Sequence, residues 1–247
     1  MEAVEGIVGG FPEFRQLESG LIAQIANVSR IIEVAKEAVL CRQGARPEVL
    51  HYLLDGQVAL TQAAADGTST VIDVVEPVHS VALASVITCQ PQVMTARTLR
   101  NSRLLAIQGE PLRALIATRP SLAVTMLQGL SLDFQSVTRQ VLNLKLRSSA
   151  QRLGGYLLSL VTDPDARQAE FRLPFPKRLL AARIGCRFEH LSRAFAALRE
   201  LDVETHGGRV LLHDIPRLRA FASPLPPADL VAPAPSPTEA FSQAFEL

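Results

Sequence analysis

The residues of this chain that are best suited to chemical recognition lie close together near residue 190. Glu189, Ser192 and Arg193 are separated by three positions and then by one, so an α-helix would place all three on the same face. A carboxylate can accept a hydrogen bond from cytosine N4, and a guanidinium can donate two hydrogen bonds to guanine O6 and N7. With Phe188 as a fourth contact, these residues predict a surface that reads the base edges of DNA.

Two short helices around a tight turn would position these residues. Gly185-Cys186 marks the turn, and the apolar residues after it recur at helical spacing to give one buried stripe: Leu191, Ala194, Phe195 and Leu198. A β-rich segment at 171–173 precedes the helices, and 203–212 follows them as two short strands around a Gly-Gly turn. A helix pair followed by a hairpin predicts a winged helix-turn-helix, which places the first residues of its second helix in the major groove.

These residues resemble the DNA-binding part of the Crp/Fnr superfamily of bacterial transcription regulators. The resemblance is carried by Gly185-Cys186, Glu189, Leu191-Ser192-Arg193 and Leu198. In the branch that contains the anaerobic regulators, a Glu, a Ser and an Arg at this spacing read a TTGAT-like half-site. The resemblance therefore implies that Glu189, Ser192 and Arg193 read the bases of such a half-site in double-stranded DNA.

The resemblance also implies an α+β fold, in which an N-terminal β-roll of the cyclic-nucleotide-binding type is followed by a long helix and the winged helix-turn-helix. The patterns place N-terminal helices and the β-roll sensor domain in residues 1–110, the long dimerisation helix in 111–147 and the DNA-binding domain in 148–222. Residues 223–247 contain six prolines, and such a segment is expected to be a disordered tail.

Charge is distributed unevenly along the chain. Between Arg147 and Ala220 there are 13 Lys and Arg residues against 8 Asp and Glu residues, whereas the whole chain has a net charge of only +1. A positive balance in this part of the chain suits contact with phosphates. The residues predicted to contact the DNA backbone are Lys177, Arg178, Arg183, Arg187, His190 and Arg209.

A row of apolar residues along the predicted long helix indicates that the chain pairs with a second copy. Its members alternate at spacings of four and three, as in a coiled coil, and we call them the seam: Ala123, Leu127, Leu130, Phe134, Val137, Val141 and Leu144. A helix in a globular core could show the same pattern. A homodimer is favoured because it would present two recognition helices to an inverted-repeat operator, with half-sites about one helical turn apart.

The sensor domain lacks the residues by which its relatives hold their usual ligands. Cyclic-nucleotide binders of the family use a Gly-Glu pair and an Arg-Ser or Arg-Thr pair, and the corresponding positions here are Ala82-Leu83 and Gln92-Val93. No Asp or Glu occurs between Pro77 and Gly109 to take a ribose hydroxyl. We therefore expect no cyclic nucleotide. Residues 1–40 contain no cysteine, so we also expect no iron-sulfur cluster of the family's N-terminal type.

The sequence leaves the ligand of the sensor domain open. An apolar cavity with an Arg in its wall would accept an aromatic or fatty carboxylate. The candidate effector pocket consists of Leu83, Val86, Arg97, Leu127, Leu130 and Phe134. Alternatively, Arg97 points outward from a strand and is solvated. A haem, and with it a gas sensor, is a further and less favoured alternative, with His51, His79 or Cys89 as the axial ligand.

Other function classes are excluded by what the sequence lacks. There is no phosphate-binding glycine loop, no HExxH motif and no GxSxG motif, so we expect neither an enzyme nor a catalytic residue, and no metal site. There is no long apolar run and no signal-peptide pattern, which predicts a cytoplasmic protein without membrane contact.

The sequence as a whole predicts a homodimeric transcription regulator that responds to a small effector other than a cyclic nucleotide. If it activates transcription, it would also contact RNA polymerase. In the alternative, DNA binding is independent of any effector, or is controlled by oxidation of Cys186, which lies beside the predicted recognition helix.

Overall fold

The computed structural model describes residues 2–63, 69–174 and 176–223, and these residues form two compact units. The first unit contains the residues up to Leu146 together with 176–188. The second unit contains Arg147–Pro174 together with 189–223. The predicted Pro-rich tail, residues 223–247, lies outside the described residues apart from Ser223.

The first unit begins with two short helices, α1 (Glu2–Gly10) and α2 (Ser19–Asn27). The turn between them is anchored by Phe11 and Phe14, whose rings pack against Tyr52 with centroid distances of 4.6 and 5.6 Å. All three aromatic residues are almost fully buried. The helices therefore cover one face of the sheet that contains Tyr52.

A β-roll of two four-stranded antiparallel sheets follows. Its strands are β1 (Ser29–Val34), β2 (Val39–Cys41), β3 (Val49–Asp55), β4 (Val58–Ala63), β5 (Ser69–Val75), β6 (His79–Val81), β7 (Thr95–Thr98) and β8 (Ser102–Gln108). One sheet has the strand order β1-β8-β3-β6 and the other has the order β2-β7-β4-β5. Their inner faces meet in an apolar core that includes Leu53, Val58 and Leu104.

Gly56 forms the corner between β3 and β4. Its φ angle of +115° lies in the region that side chains rarely adopt, and a Cβ atom at this position would clash with the side chain of Ser102. Only glycine satisfies both conditions, so the strand corner at Gly56 depends on this residue type.

Three helices complete the main part of the first unit: α3 (Leu83–Thr88), α4 (Gly109–Thr118) and α5 (Pro120–Leu146). The region 111–147 thus contains two helices, because Arg119 adopts an extended conformation before Pro120 starts the longer one. The buried residues Leu122, Thr125 and Met126 fix the first turns of α5. Its 27 residues correspond to a length of about 40 Å.

The described chain continues through α6 (Ser149–Ser159), β9 (Ala169–Arg172), α7 (Lys177–Arg183), α8 (Phe188–Arg199), β10 (Val203–His206), β11 (Arg209–Leu212) and α9 (Ile215–Ala222). Ser148 and Gln151 form a capping box that starts α6. The three strands form an antiparallel sheet in the order β10-β11-β9. The fold class predicted from the sequence is confirmed: a β-roll, a long helix and a helix-turn-helix with a β-wing.

In the described part of the chain, no helix combines the length and the apolar composition that crossing a membrane requires.

Candidate nucleic-acid interface and sensor cavities

The recognition helix α8 has two chemically distinct faces. The buried stripe predicted from the sequence is confirmed, since Leu191 and Leu198 are almost inaccessible to solvent. The opposite face exposes Glu189, Ser192 and Arg193. Because the stripe fixes the rotation of the helix about its own axis, these three polar side chains must point outward together.

Contacts at the C-terminal end of the stripe hold α8 in the second unit. Leu198 packs close to Gly154 of α6, where a Cβ atom would lie 3.7 Å from the Leu198 side chain and 3.1 Å from that of Leu218. Beyond the helix, Asp202 has a φ of +59° and its carboxylate accepts a hydrogen bond of 2.7 Å from Arg217. The end of α8 is thereby tied to α9, which stabilises the orientation of the exposed face.

Phe188 and the residues predicted to contact the DNA backbone have different surroundings. Phe188 is 51% exposed at the start of α8. Lys177, Arg178, Arg187 and His190 are also exposed. Arg209 lies on β11 and forms an ion pair of 2.8 Å with Glu170 of β9, so its charge is partly compensated within the wing.

The turn before α8 depends on Gly185. Its φ is +64°, and the backbone N–H groups of Gly185 and Cys186 donate to the carbonyls of Ala182 and Ala181, each at 2.9 Å. A Cβ atom at position 185 would overlap the side chain of Leu144. Glycine is therefore required here by both the backbone conformation and the space available.

Most of the seam on α5 is exposed. Leu127 is 64% exposed, Phe134 is 74% exposed and Val137 is 56% exposed, and Val141 and Leu144 are also exposed. The remaining two, Ala123 and Leu130, are half-buried, and Leu130 packs against the core of the first unit. The protomer thus presents a row of large apolar side chains to solvent along its longest helix, which is unusual unless a partner covers them.

Two adjoining cavities lie in the first unit. The larger, which we call the α5 cavity, has a volume of about 690 Å³ and is lined by residues of the α1–α2 turn, β6 and α5. The smaller, which we call the β-roll cavity, has a volume of about 330 Å³ and includes Asp73 and Gln92 in its wall. Both cavities share His79, Leu83 and Asp133, so they meet beside α5.

Comparisons with known proteins identify both halves of this arrangement. Residues 31–119 match the model of the cyclic nucleotide-binding domain, and residues 151–221 match that of the Crp-like helix-turn-helix domain. The chain belongs to the Crp/Fnr superfamily of transcription regulators. Members of this superfamily bind DNA, act as dimers and are not enzymes.

Solved structures share the fold of this Crp/Fnr regulator. A candidate cyclic nucleotide-binding protein of Ruegeria pomeroyi DSS-3 is 25% identical over 90% of this chain and 97% of its own, with a TM-score of 0.62. CLP, the c-di-GMP-responsive global regulator of Xanthomonas campestris, is 21% identical over 79% and 99%, with a TM-score of 0.64. A candidate Crp/Fnr regulator of Eubacterium rectale is 15% identical over 86% and 98%, with a TM-score of 0.67. A comparison with curated protein sequences gave no match.

The two positions predicted from the sequence to match the ribose and phosphate contacts of cyclic-nucleotide binders, Ala82-Leu83 and Gln92-Val93, line the β-roll cavity. Ala82 adopts a φ of +76° before α3, and Leu83 after it is buried. Gln92 is only 6% exposed, and its Nε2 atom has no hydrogen-bond partner in the described chain. These positions offer neither a carboxylate for a ribose nor a cation for a phosphate.

The structure does not bring the predicted effector pocket together. Leu83 and Leu127 line the α5 cavity, but Val86 belongs to the buried core and Leu130 packs against that core. Phe134 points to solvent. Arg97 lies outside both cavities; its guanidinium donates to the carbonyl of Glu37 at 3.1 Å, and its side chain is 41% exposed. Of the two alternatives considered for Arg97, the one in which it points outward from its strand is observed.

The side chains considered as haem ligands do not share an environment. His51 is 7% exposed, its Nδ1 atom has no partner among the described residues, and burial lowers its pKa to about 4, with a smaller contribution from the charge of Arg30. His79 lines both cavities, whereas Cys89 is exposed after α3 and lines neither. Within 2–63, 69–174 and 176–223, no group of three or more His, Cys, Asp or Glu residues is arranged to hold a metal ion.

Sequence reasoning missed two carboxylates of the α5 cavity, Glu13 and Asp133. The stretch between 77 and 109 contains no acidic residue that could take a ribose hydroxyl, but these two come from the α1–α2 turn and from the middle of α5. The local signal was Asp133, which directly precedes the seam residue Phe134. An acidic residue at such a position usually lies on the solvated flank of a coiled coil, so it did not indicate a binding site.

Proposed function

We propose that this regulator binds an inverted-repeat operator as a homodimer, and that a small effector other than a cyclic nucleotide controls the binding. The observation that carries the DNA-binding part is the exposed triplet of Glu189, Ser192 and Arg193 above a fully buried stripe. The position of the triplet in the first two turns of α8 suits entry into a major groove.

Each member of the triplet has a defined chemical role in the proposal. Arg193 donates two hydrogen bonds to a guanine, Glu189 accepts one from a cytosine N4, and Ser192 contacts either base type. Phe188, which is half exposed at the start of α8, packs against a thymine methyl group. This set fits a TTGAT-like half-site, as the resemblance of the triplet to anaerobic regulators implies.

The homodimer is supported by the exposed seam on α5. Five large apolar side chains of the seam are exposed in the protomer. The seam residues of a second copy of the helix would cover them. Two recognition helices related by a twofold axis would then enter successive major grooves of the DNA.

An effector other than a cyclic nucleotide is supported by the walls of the two cavities. Leu83 and Gln92 stand where the family uses charged residues. Asp133, which pairs with no Lys or Arg among the described residues, would repel a phosphate, whereas Asp73 is already paired with Arg183. Control through Cys186 is the alternative; this half-buried thiol lies in the turn that precedes α8. A contact with RNA polymerase applies if the regulator activates transcription.

Selection of bound sequences from a random pool of duplex DNA tests the proposal. We expect enrichment of an inverted repeat whose half-sites contain TTGAT or a close variant. Arg193→Ala should lose the preference at one base pair of each half-site, whereas Arg199→Ala, which alters the last turn of the same helix, should keep it. Enrichment of a site without twofold symmetry, or no enrichment, would contradict the proposal.

A further inference from the structure

We infer that the α5 cavity binds an organic cation, a ligand that carries a protonated or quaternary amine on an apolar body. The inference deepens the effector part of the proposed function and names the chemistry of that effector. It rests on the cavity itself, whose ligand binding can be measured without DNA.

The α5 cavity has the size and the walls of a small-molecule site. Its volume of about 690 Å³ falls within the range in which proteins hold such ligands. Apolar side chains form most of the wall, among them Leu83, Val124, Leu127 and Leu132. These surfaces would cover the hydrocarbon part of a ligand and would gain free energy by losing contact with water.

The charged groups in the wall have one sign. Glu13 and Asp133 both line the cavity, and neither Lys nor Arg is among its described lining residues; His79 is the basic group there. A carboxylate removed from water loses hydration, and a cation placed beside it recovers much of that loss. An anionic ligand would instead meet two like charges, which argues against the carboxylate effector considered from the sequence.

Asp133 carries the electrostatic signature of such a site. Burial raises the pKa of its carboxyl above the usual range, and the nearby His79 lowers it by a smaller amount. Across the described chain, no Lys or Arg forms an ion pair with Asp133. The carboxylate therefore has the imidazole of His79 nearby in the cavity wall, but no Lys or Arg partner among the described residues.

The buried Tyr52 is affected by the same two carboxylates. Its side chain is fully buried, and its hydroxyl has no hydrogen-bond partner with satisfactory geometry among the described residues. Burial raises the pKa of Tyr52. The Glu13 carboxylate raises this pKa further, through its charge and as a hydrogen-bond acceptor, and the charge of Asp133 adds to the shift. The negative charge of the two cavity carboxylates thus extends to a buried hydroxyl, and an ammonium group bound beside them in the cavity would offset that charge.

The backbone at Glu13 is held in place by its neighbours in the chain. Phe11 and Phe14 flank it, and both are buried in the core with Tyr52. The N–H of Phe14 donates to the carbonyl of Phe11 at 3.0 Å, which closes the turn around Glu13. A site held by packed neighbours requires less ordering when a ligand binds.

Calorimetric titration of the full chain with three probes of one shape tests the inference. The probes are 4-phenylbutylammonium, 4-phenylbutanol and 4-phenylbutyrate, which differ only in the polar end. We expect the ammonium to bind about tenfold or more tightly than the alcohol, because a charge-assisted hydrogen bond is worth that much, and the carboxylate to bind most weakly. Binding of the carboxylate as tight as that of the ammonium would overturn the inference, and so would no binding of the ammonium at millimolar concentration.

Variants separate the role of charge from that of shape. Asp133→Asn and Glu13→Gln should each weaken ammonium binding by about tenfold and leave the affinity for 4-phenylbutanol unchanged. Asp55→Asn is the matched control, since Asp55 is exposed and lies outside the cavity, and it should bind all three probes as the parent does. Unchanged ammonium affinity in a folded Asp133→Asn protein would overturn the inference.

The link to transcription is tested separately. Operator affinity is measured with and without saturating ammonium probe. If the chain binds the ammonium but no operator, the proposed function fails while the cavity assignment stands. If it binds an operator but not the ammonium, the cavity assignment fails alone.

Discussion

The guanidinium of Arg183 on α7 forms an ion pair with the carboxylate of Asp73 on β5. The same nitrogen donates to the carbonyl of Val74 at 3.0 Å, and the amide of Gln140 reaches the other oxygen of Asp73 at 3.5 Å. Both charged side chains are about two-thirds or more buried. Arg183, predicted from the sequence to contact a DNA phosphate, is therefore engaged within the first unit.

This ion pair should contribute measurably to stability. A double-mutant cycle with Arg183→Ala and Asp73→Ala is expected to give a coupling energy of about 1 kcal/mol in urea unfolding, because both partners are largely shielded from water. The more exposed pair of Arg100 and Asp55, with 3.7 Å between its charged atoms, serves as the control and should couple by only a few tenths of a kcal/mol, roughly. Equal coupling energies for the two pairs would show that burial does not strengthen the first.

Base reading by Arg193 predicts a sequence-dependent loss. Arg193→Ala should weaken operator binding by about 1–3 kcal/mol and have a smaller effect on random duplex DNA, since a base contact is absent there. Fluorescence anisotropy at several salt concentrations measures both affinities. Arg187→Ala, which removes a predicted phosphate contact, should weaken both kinds of DNA by a similar factor. Equal losses on both DNAs for Arg193→Ala would contradict its assignment.

The seam predicts that dimerisation can be removed without unfolding the protomer. Phe134→Glu introduces a charge at the most exposed seam residue, where a coiled-coil partner would have to bury it. We expect a monomer in analytical ultracentrifugation, with circular dichroism unchanged and operator affinity lost. Leu142→Glu alters an exposed leucine of α5 outside the seam and should remain dimeric. A dimeric Phe134→Glu protein would exclude the seam as the interface.

His51 predicts a loss of stability towards acidic pH. Burial lowers its pKa to about 4, whereas the unfolded chain has an ordinary value near 6.5. As the pH falls from 6.5 to 4 the unfolded state takes up the proton first, so this residue lowers the free energy of unfolding by at most about 3 kcal/mol. Below pH 4 both states are protonated and the loss stops growing.

Urea unfolding between pH 7 and pH 4 measures this effect. A His51→Leu protein should lose less stability over that range than the parent, because the titrating group is gone. His190→Gln removes an exposed histidine of α8 and should follow the parent. Parallel curves for His51→Leu and the parent would show that His51 is protonated equally in both states.

The cavity walls predict that cyclic nucleotides do not bind. Titration of the full chain with cAMP or cGMP at micromolar concentration should release no heat of binding, because Leu83 and Gln92 replace the charged groups and Asp133 repels the phosphate. Titration with 4-phenylbutylammonium is the positive control for a competent cavity. Micromolar affinity for either nucleotide would overturn this expectation.

The sequence by itself determined the features that depend on short-range periodicity. The stripe of α8 follows from Leu191 and Leu198 seven positions apart, and the seam follows from the four-three spacing around Phe134. The turn follows from Gly185, since few other residues adopt a positive φ. Helical period and backbone conformation are local properties, so they can be read from neighbouring residues without knowledge of the fold.

Only the tertiary structure decided which distant charges meet. Glu13 and Asp133 reach one cavity from opposite parts of the first unit, and Asp73 binds Arg183 across 110 positions of sequence. Arg97 points outward because its strand, β7, pairs with β2, and its guanidinium donates to the carbonyl of Glu37. The direction of a side chain from a strand and the element it faces are set by how the sheets close and pack, and no local spacing encodes that closure.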